Sequence, residues 1–331
     1  MYRFLVAAVA SLLLGGVGGG CHGKSQPAPP GRTDRTDALV KVPPVSPPWQ
    51  QPMEVLGESL SQGREQYQRN HRLDADKLQR ALDDLGANLP GQPARSGLAR
   101  ARRALERGQI DPALQAIDEA MASLPDWETY WPAASQARPL LEAAREDLQA
   151  AEPARAGVEL EQAEALLVSA ELEVPWRGLQ AALREVASES HPQPSPPESS
   201  GKGDRTLQRL RKAEEQWVAL RDTLLLLEVL RHVNLAHQRF LELAKAGTQA
   251  ELEQAGQALA KLQEARPSLE EAIQGLKDDM EGIQKDLGKG AAGVEDRLTA
   301  LWKKLKSLLR ELGRRHVSEE KSLASSSPKE P

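Results

Sequence analysis

Two stretches of this chain, 98–124 and 141–167, carry one pattern twice, offset by 43 residues with no gap. Leu98 aligns with Leu141, Ala101 with Ala144, Leu105 with Leu148, Ala113 with Ala156, Ile117 with Leu160, Ala120 with Ala163 and Leu124 with Leu167. The matched residues recur at the steps of a helix face on both sides of a turn, at 108–112 in the first copy and 150–153 in the second. Pro112 and Pro153 stand near the start of the segment after each turn, where a helix tolerates proline. The predicted unit is therefore a helical hairpin. A single hairpin cannot cover its own apolar face, so the two copies are expected to pack on each other, with 73–89 as an additional helix. Tetratricopeptide repeats have a period of 34 and a Trp-Leu-Gly-Tyr signature that this chain lacks.

Composition extends the helical reading to the whole chain. Isoleucine occurs only at 110, 117, 273 and 283, and aromatic residues are 3% of the total. Leu, Ala, Glu, Gln, Arg and Lys dominate, so strand formers are scarce and helix formers abundant. The expected fold class is all-α: two helical-bundle modules joined by a Pro/Ser/Gly-rich linker and preceded by a disordered Pro-rich tether. The tether is placed at 21–53, where Pro27, Pro29, Pro30, Pro43, Pro44, Pro47, Pro48 and Pro52 interrupt a stretch without apolar periodicity. The first bundle is placed at 54–187, the linker at 188–205, the second bundle at 206–316 and a disordered tail at 317–331.

Arg3 gives a positive start, Phe4 to Val17 an apolar run, and Gly18, Gly19 and Gly20 the small residues before Cys21. With these parts in this order, residues 1–20 resemble a bacterial lipoprotein signal. The run is too short for a confident membrane-spanning helix, which needs about 20 apolar residues. The resemblance implies cleavage before Cys21 and acylation of its sulfur and freed amine, palmitate included. Gly18 stands where the lipobox normally has leucine, and the alternative is an ordinary signal peptide that leaves Cys21 as a free thiol. Cys21 is the chain's only cysteine, so no intrachain disulfide is possible.

The residues Ala101, Ala104, Leu105, Gly108, Ala113, Ile117 and Ala120, followed by AEALLVSAELEVPWRGLQAAL at 163–183, are similar to the pattern of the YfdX family of exported bacterial helical proteins. The similarity covers roughly 70–190. It implies a helical hairpin followed by an extended, proline-containing stretch, and no settled biochemical activity.

In the second helical part, Leu210, Trp217 and Leu224, interleaved with Ala213, Leu220 and Leu227, follow a heptad-like spacing. Arg231 and Asn234 fall on the next core positions, so the run is too short for a sustained coiled coil. An intramolecular antiparallel bundle is expected. Gly247, Pro267 and the glycines of 288–293 punctuate it into about four helices, the last from Val294 to Arg315. That last helix sets Val294, Leu298, Leu301, Leu305, Leu308 and Leu312 on one face. Arg297, Lys303, Lys304, Lys306, Arg310, Arg314 and Arg315 lie elsewhere on it, so the stripe is either core packing or a face for anionic lipid.

Trp127, Tyr130 and Trp131 cluster between the repeat copies and Trp176 follows the second. In a chain this poor in aromatics they read as anchors closing the bundle ends, or as a shared partner or ligand surface. His232 and His237 are about 140° apart on a helix and make poor metal partners. His71, with Asp74 and Asp76, reads as a capping cluster. No metal and no cofactor is expected. GxSxG, HExxH and CxxC are absent, and no glycine loop follows a strand, so a hydrolase with an unrecognised site ranks last.

A net charge of −5 argues against nucleic-acid binding. The expected function is non-enzymatic: a lipid-anchored protein of a Gram-negative envelope, held to the membrane through Cys21, that binds or scaffolds an envelope partner. His22 follows the cysteine in place of the aspartate that favours inner-membrane retention, so the outer membrane, facing the periplasm, is preferred. The alternative is a soluble periplasmic stress or chaperone-like protein of the YfdX kind.

Overall fold

The computed structural model describes residues 46–167, 169–190, 201–289 and 293–325. The expected signal, Cys21, the tether up to residue 45 and the last residues of the tail lie outside them. Among the described residues the chain is all-α, with eleven α-helices and no strand. None of these helices is long and apolar enough to cross a membrane.

The repeat reads as predicted. Helix α3 (Gln92–Glu106) and α4 (Ile110–Tyr130) form the first hairpin, α5 (Ala137–Gln149) and α6 (Pro153–Leu167) the second. Six of the seven aligned pairs are buried in both copies, and Leu105, the exception, is half-buried opposite a buried Leu148. The copies pack on each other through α3 against α6 and α4 against α5. Helix α2 (Ala75–Asn88) is the additional helix, its start fixed by Asp74, whose carboxylate accepts the Lys77 N–H at 2.9 Å.

Helix α1 (Gln50–Asn70) begins inside the span assigned to the tether, and Trp49 and Met53 are buried. Pro52 is compatible with this because it lies in the first turn, where its missing N–H would have no partner in the helix. Helix α7 (Ala170–Ser190) continues through Pro175, where the YfdX resemblance implies an extended stretch. Leu172, Trp176 and Leu179 on its buried face supply the packing that outweighs the lost hydrogen bond. In the same way α4 runs through Pro125 as far as Tyr130, so Trp127 and Tyr130 belong to the first copy's second helix.

The second part has four helices: α8 (Gly201–Leu241), α9 (Lys245–Ala265), α10 (Glu270–Lys289) and α11 (Val294–Ser325). Gly247 is not a stop. The chain turns at 242–244, where Leu243 takes a left-handed conformation and Ala244 N–H returns to the Arg239 carbonyl at 2.9 Å. Helix α11 passes residue 317, where the tail was expected, because 317–325 contains no proline or glycine to end it.

Of the expected linker at 188–205, residues 188–190 belong to α7 and 201–205 to α8, while 191–200 lie outside the described residues, and α7 and α8 pack on each other. Every residue of α8 from 222 to 230 is buried, about two and a half turns covered on all sides. The neighbours that cover α8 come from both halves: α1, α4 and α7 from one, α9 and α11 from the other. One hydrophobic core therefore runs from Trp49 to Leu312. A single heptad seam describes only one face of α8, which is why the spacing reads as a separate bundle.

Candidate functional site

The aromatic residues singled out by the sequence are set at three places. Trp127 is buried, and its indole N–H donates to the Leu167 carbonyl at 3.2 Å, tying the end of the first hairpin to the end of the second. Its ring lies over Gly91, whose φ is +74° and where a Cβ would come within 2.7 Å of the ring. Tyr130, one turn on, is tilted against it with centroids 6.2 Å apart. Trp176 closes on Gly86, where a Cβ would meet its ring at 3.0 Å. Trp131 faces away toward α11, where Lys306 Nζ sits 5.3 Å from its ring and 4.8 Å from that of Trp302.

Trp127 and Trp176 thus fill space against two glycines near the end of α2, and Trp131 pairs with a lysine instead of joining them. An open groove of about 510 Å³ lies elsewhere, between α3 and α4, lined by Arg100, Arg103, Arg107, Gln109 and Glu119. Arg100 is already paired with Glu119 across it at 2.5 Å.

The structure assembles a polar junction that the sequence does not announce. His232 on α8 has Nδ1 2.7 Å from Glu251 on α9 and Nε2 3.1 Å from Glu228, one turn back on α8. Glu228 also accepts from Arg231 at 2.9 Å, and the Arg231 guanidinium lies 5.2 Å above the ring of Tyr130 on α4. Burial pushes the Glu228 carboxyl up, yet hydrogen bonding from His232 and the Arg231 charge hold it below the usual carboxylate range. Burial works against the His232 imidazolium too, but its two carboxylate partners outweigh it and the pKa is raised. Burial and the adjacent Glu228 charge push the Tyr130 hydroxyl well up, so it keeps its proton. Considering only the spacing of His232 and His237 missed this site, because Glu251 comes from the next helix. The i, i+4 placement of Glu228 and His232 was the one available signal.

A second buried charge, Asp222 on α8, is fully covered and held by Arg221 at 3.0 Å and by Arg266 from the end of α9. Arg221 in turn lies 5.0 Å above the Trp217 ring. Trp217 donates its indole N–H to the Met53 carbonyl at 2.9 Å and presses on Gly57, so α1 is pinned to α8 at this point. His71 is exposed, adopts φ 54° to end α1 and stands edge-on to Tyr67. No group of three or more metal-ligating side chains with suitable placement occurs among the described residues.

Comparison of the chain with protein-family models, with curated proteins and with solved structures found no match. The similarity of 70–190 to the YfdX pattern therefore rests on the residues quoted for it.

Proposed function

We propose that this chain is a lipid-anchored envelope protein that carries a helical body on a proline-rich tether and uses it, without catalysis, to bind or scaffold another envelope component. The observation that carries the proposal is Cys21, set directly behind the apolar run Phe4 to Val17 and directly ahead of the proline-rich segment. Acyl chains on Cys21 contribute about 0.8 kcal/mol per buried methylene, and more than one chain is needed for stable residence. A coil of the tether's length spans about 30 Å, enough to hold the body clear of a lipid surface.

The helical body supports a docking role through its surface. Its outer face is charged and cross-braced by ion pairs between helices, such as Arg102 with Glu164, Arg145 with Asp118, and Lys304 with Asp279. Such pairs add little stability individually, but they give a helical face a fixed charge pattern for a partner to meet.

Metabolic labelling with a fatty acid tests the anchor: the wild-type chain takes the label and Cys21→Ser does not. Label on neither protein sinks the anchor and leaves the periplasmic YfdX-like alternative. Crosslinking in the native envelope followed by mass spectrometry tests the docking role, with peptides of one envelope protein recurrently joined to the helical body as the expected result.

A further inference from the structure

We propose that His232 is a pH-sensitive latch that fastens α9 to α8 while its imidazole is protonated and releases Glu251 when the proton is lost. The inference does not depend on the lipid anchor and goes beyond the docking role.

A neutral imidazole has one N–H and one lone pair, whereas an imidazolium has two N–H groups. Both ring nitrogens of His232 face carboxylate oxygens, Glu251 at 2.7 Å and Glu228 at 3.1 Å. Ionised carboxylates only accept, so the observed double contact is satisfied only by the charged ring. Loss of the proton sets a nitrogen lone pair against a carboxylate oxygen in a site where His232 and Glu228 are largely buried.

Glu251 is the partner that leaves. Glu228 is the more deeply buried carboxylate and keeps Arg231 as a second partner, with Tyr130 of α4 beside it. Glu251 is the more exposed and, among the described residues, forms its ion pair with His232 alone. On release it can turn to water. The apolar side of α9, with Leu252, Leu259 and Leu262 buried, stays seated. The loosened part is the turn at 242–244 and the first turns of α9, where Leu243 already projects into solvent.

The groups that act on the junction are Glu228 and Arg231 on α8, Glu251 on α9, and Tyr130 and Asp126 on α4. Both carboxylates beside His232 favour its charged form. A folded-state pKa above the ordinary 6.5 contributes stability that is fully present below that value and lost as pH rises through the folded pKa. The latch is therefore shut in acid and opens toward alkaline pH.

The full chain is followed by imidazole NMR titration and by urea unfolding at about pH 6 and about pH 8, a range that brackets histidine titration. One imidazole is expected to titrate above 6.5 and to vanish from the spectrum of His232→Gln. The wild-type urea midpoint falls between the two pH values more than that of His232→Gln. An imidazole of His232 that titrates at or below 6.5, or equal falls in the two proteins, overturns the latch. Glu251→Gln keeps the histidine and changes only the more exposed partner, so it reads the same claim if His232→Gln does not fold. Its imidazole is expected to titrate lower than in the wild type, and an unchanged titration contradicts the proposal.

Discussion

Gly108 and Ala151, equivalent positions in the two repeat copies, hold the same left-handed backbone conformation, with φ of 70° and 60°. The hydrogen bonds around them are equivalent as well. Gly108 N–H meets the Leu105 carbonyl at 2.9 Å and Gln109 N–H that of Ala104 at 2.9 Å, while Ala151 meets Leu148 at 3.1 Å and Glu152 meets Asp147 at 2.8 Å. The two copies share one turn geometry, but only the first has glycine, the residue best suited to it.

Ala151→Gly is therefore expected to stabilise the protein by about 0.5–1 kcal/mol, since relief of left-handed strain exceeds the entropy cost of glycine. Gly108→Ala should lose a comparable amount, and through backbone strain alone, because a Cβ there meets nothing within 4 Å. Thermal unfolding of both variants checks this: a rise for one and a fall for the other is the predicted result. Leu243→Gly, at the third turn of the same form, should also raise the melting temperature.

At Gly91 the strain and the crowding coincide. Gly91→Ala forces a left-handed alanine and drives its methyl into the Trp127 ring, so it should cost more than Gly108→Ala, about 2 kcal/mol or above. Trp127→Phe keeps a ring but leaves the Leu167 carbonyl without its donor, at a cost of about 1–3 kcal/mol. Denaturant midpoints order the three variants, and a Gly91→Ala protein no weaker than Gly108→Ala would contradict the packing described.

The leucine stripe of α11 faces the core, with Leu298, Leu301, Leu305 and Leu312 all buried. Leu305→Ala should cost about 2–5 kcal/mol, whereas Lys303→Ala on the exposed side should stay within about 0.5 kcal/mol. Stability measurements on the pair distinguish a core stripe from a lipid-facing one, which would tolerate the leucine change.

The helical class and the repeat were legible because the matched residues recur at helical spacing and, Leu105 apart, are buried for the same reason in both copies. The observed bounds differ most where a helix accommodates proline. Pro52 occupies a first turn, and Pro125 and Pro175 sit inside helices held by Trp127 and Trp176. The polar junction stayed hidden because its partners are separated along the chain: Glu251 reaches His232 from α9, and Tyr130 reaches Arg231 from α4. The run Thr223-Leu-Leu-Leu-Leu-Glu-Val-Leu230 was the unused signal, since a helix apolar on every side demands neighbours on every side.

Helix α8 packs against both halves of the helical chain, so the two are expected to unfold as one cooperative body. Equilibrium urea unfolding of the full chain, followed in parallel by tryptophan fluorescence and far-ultraviolet circular dichroism, tests it most directly. The prediction is one coincident transition, which Gly57→Val, by displacing Trp217 from α1, shifts to lower urea as a whole. Two separate transitions, or a Gly57→Val curve in which only part of the amplitude moves, would contradict it.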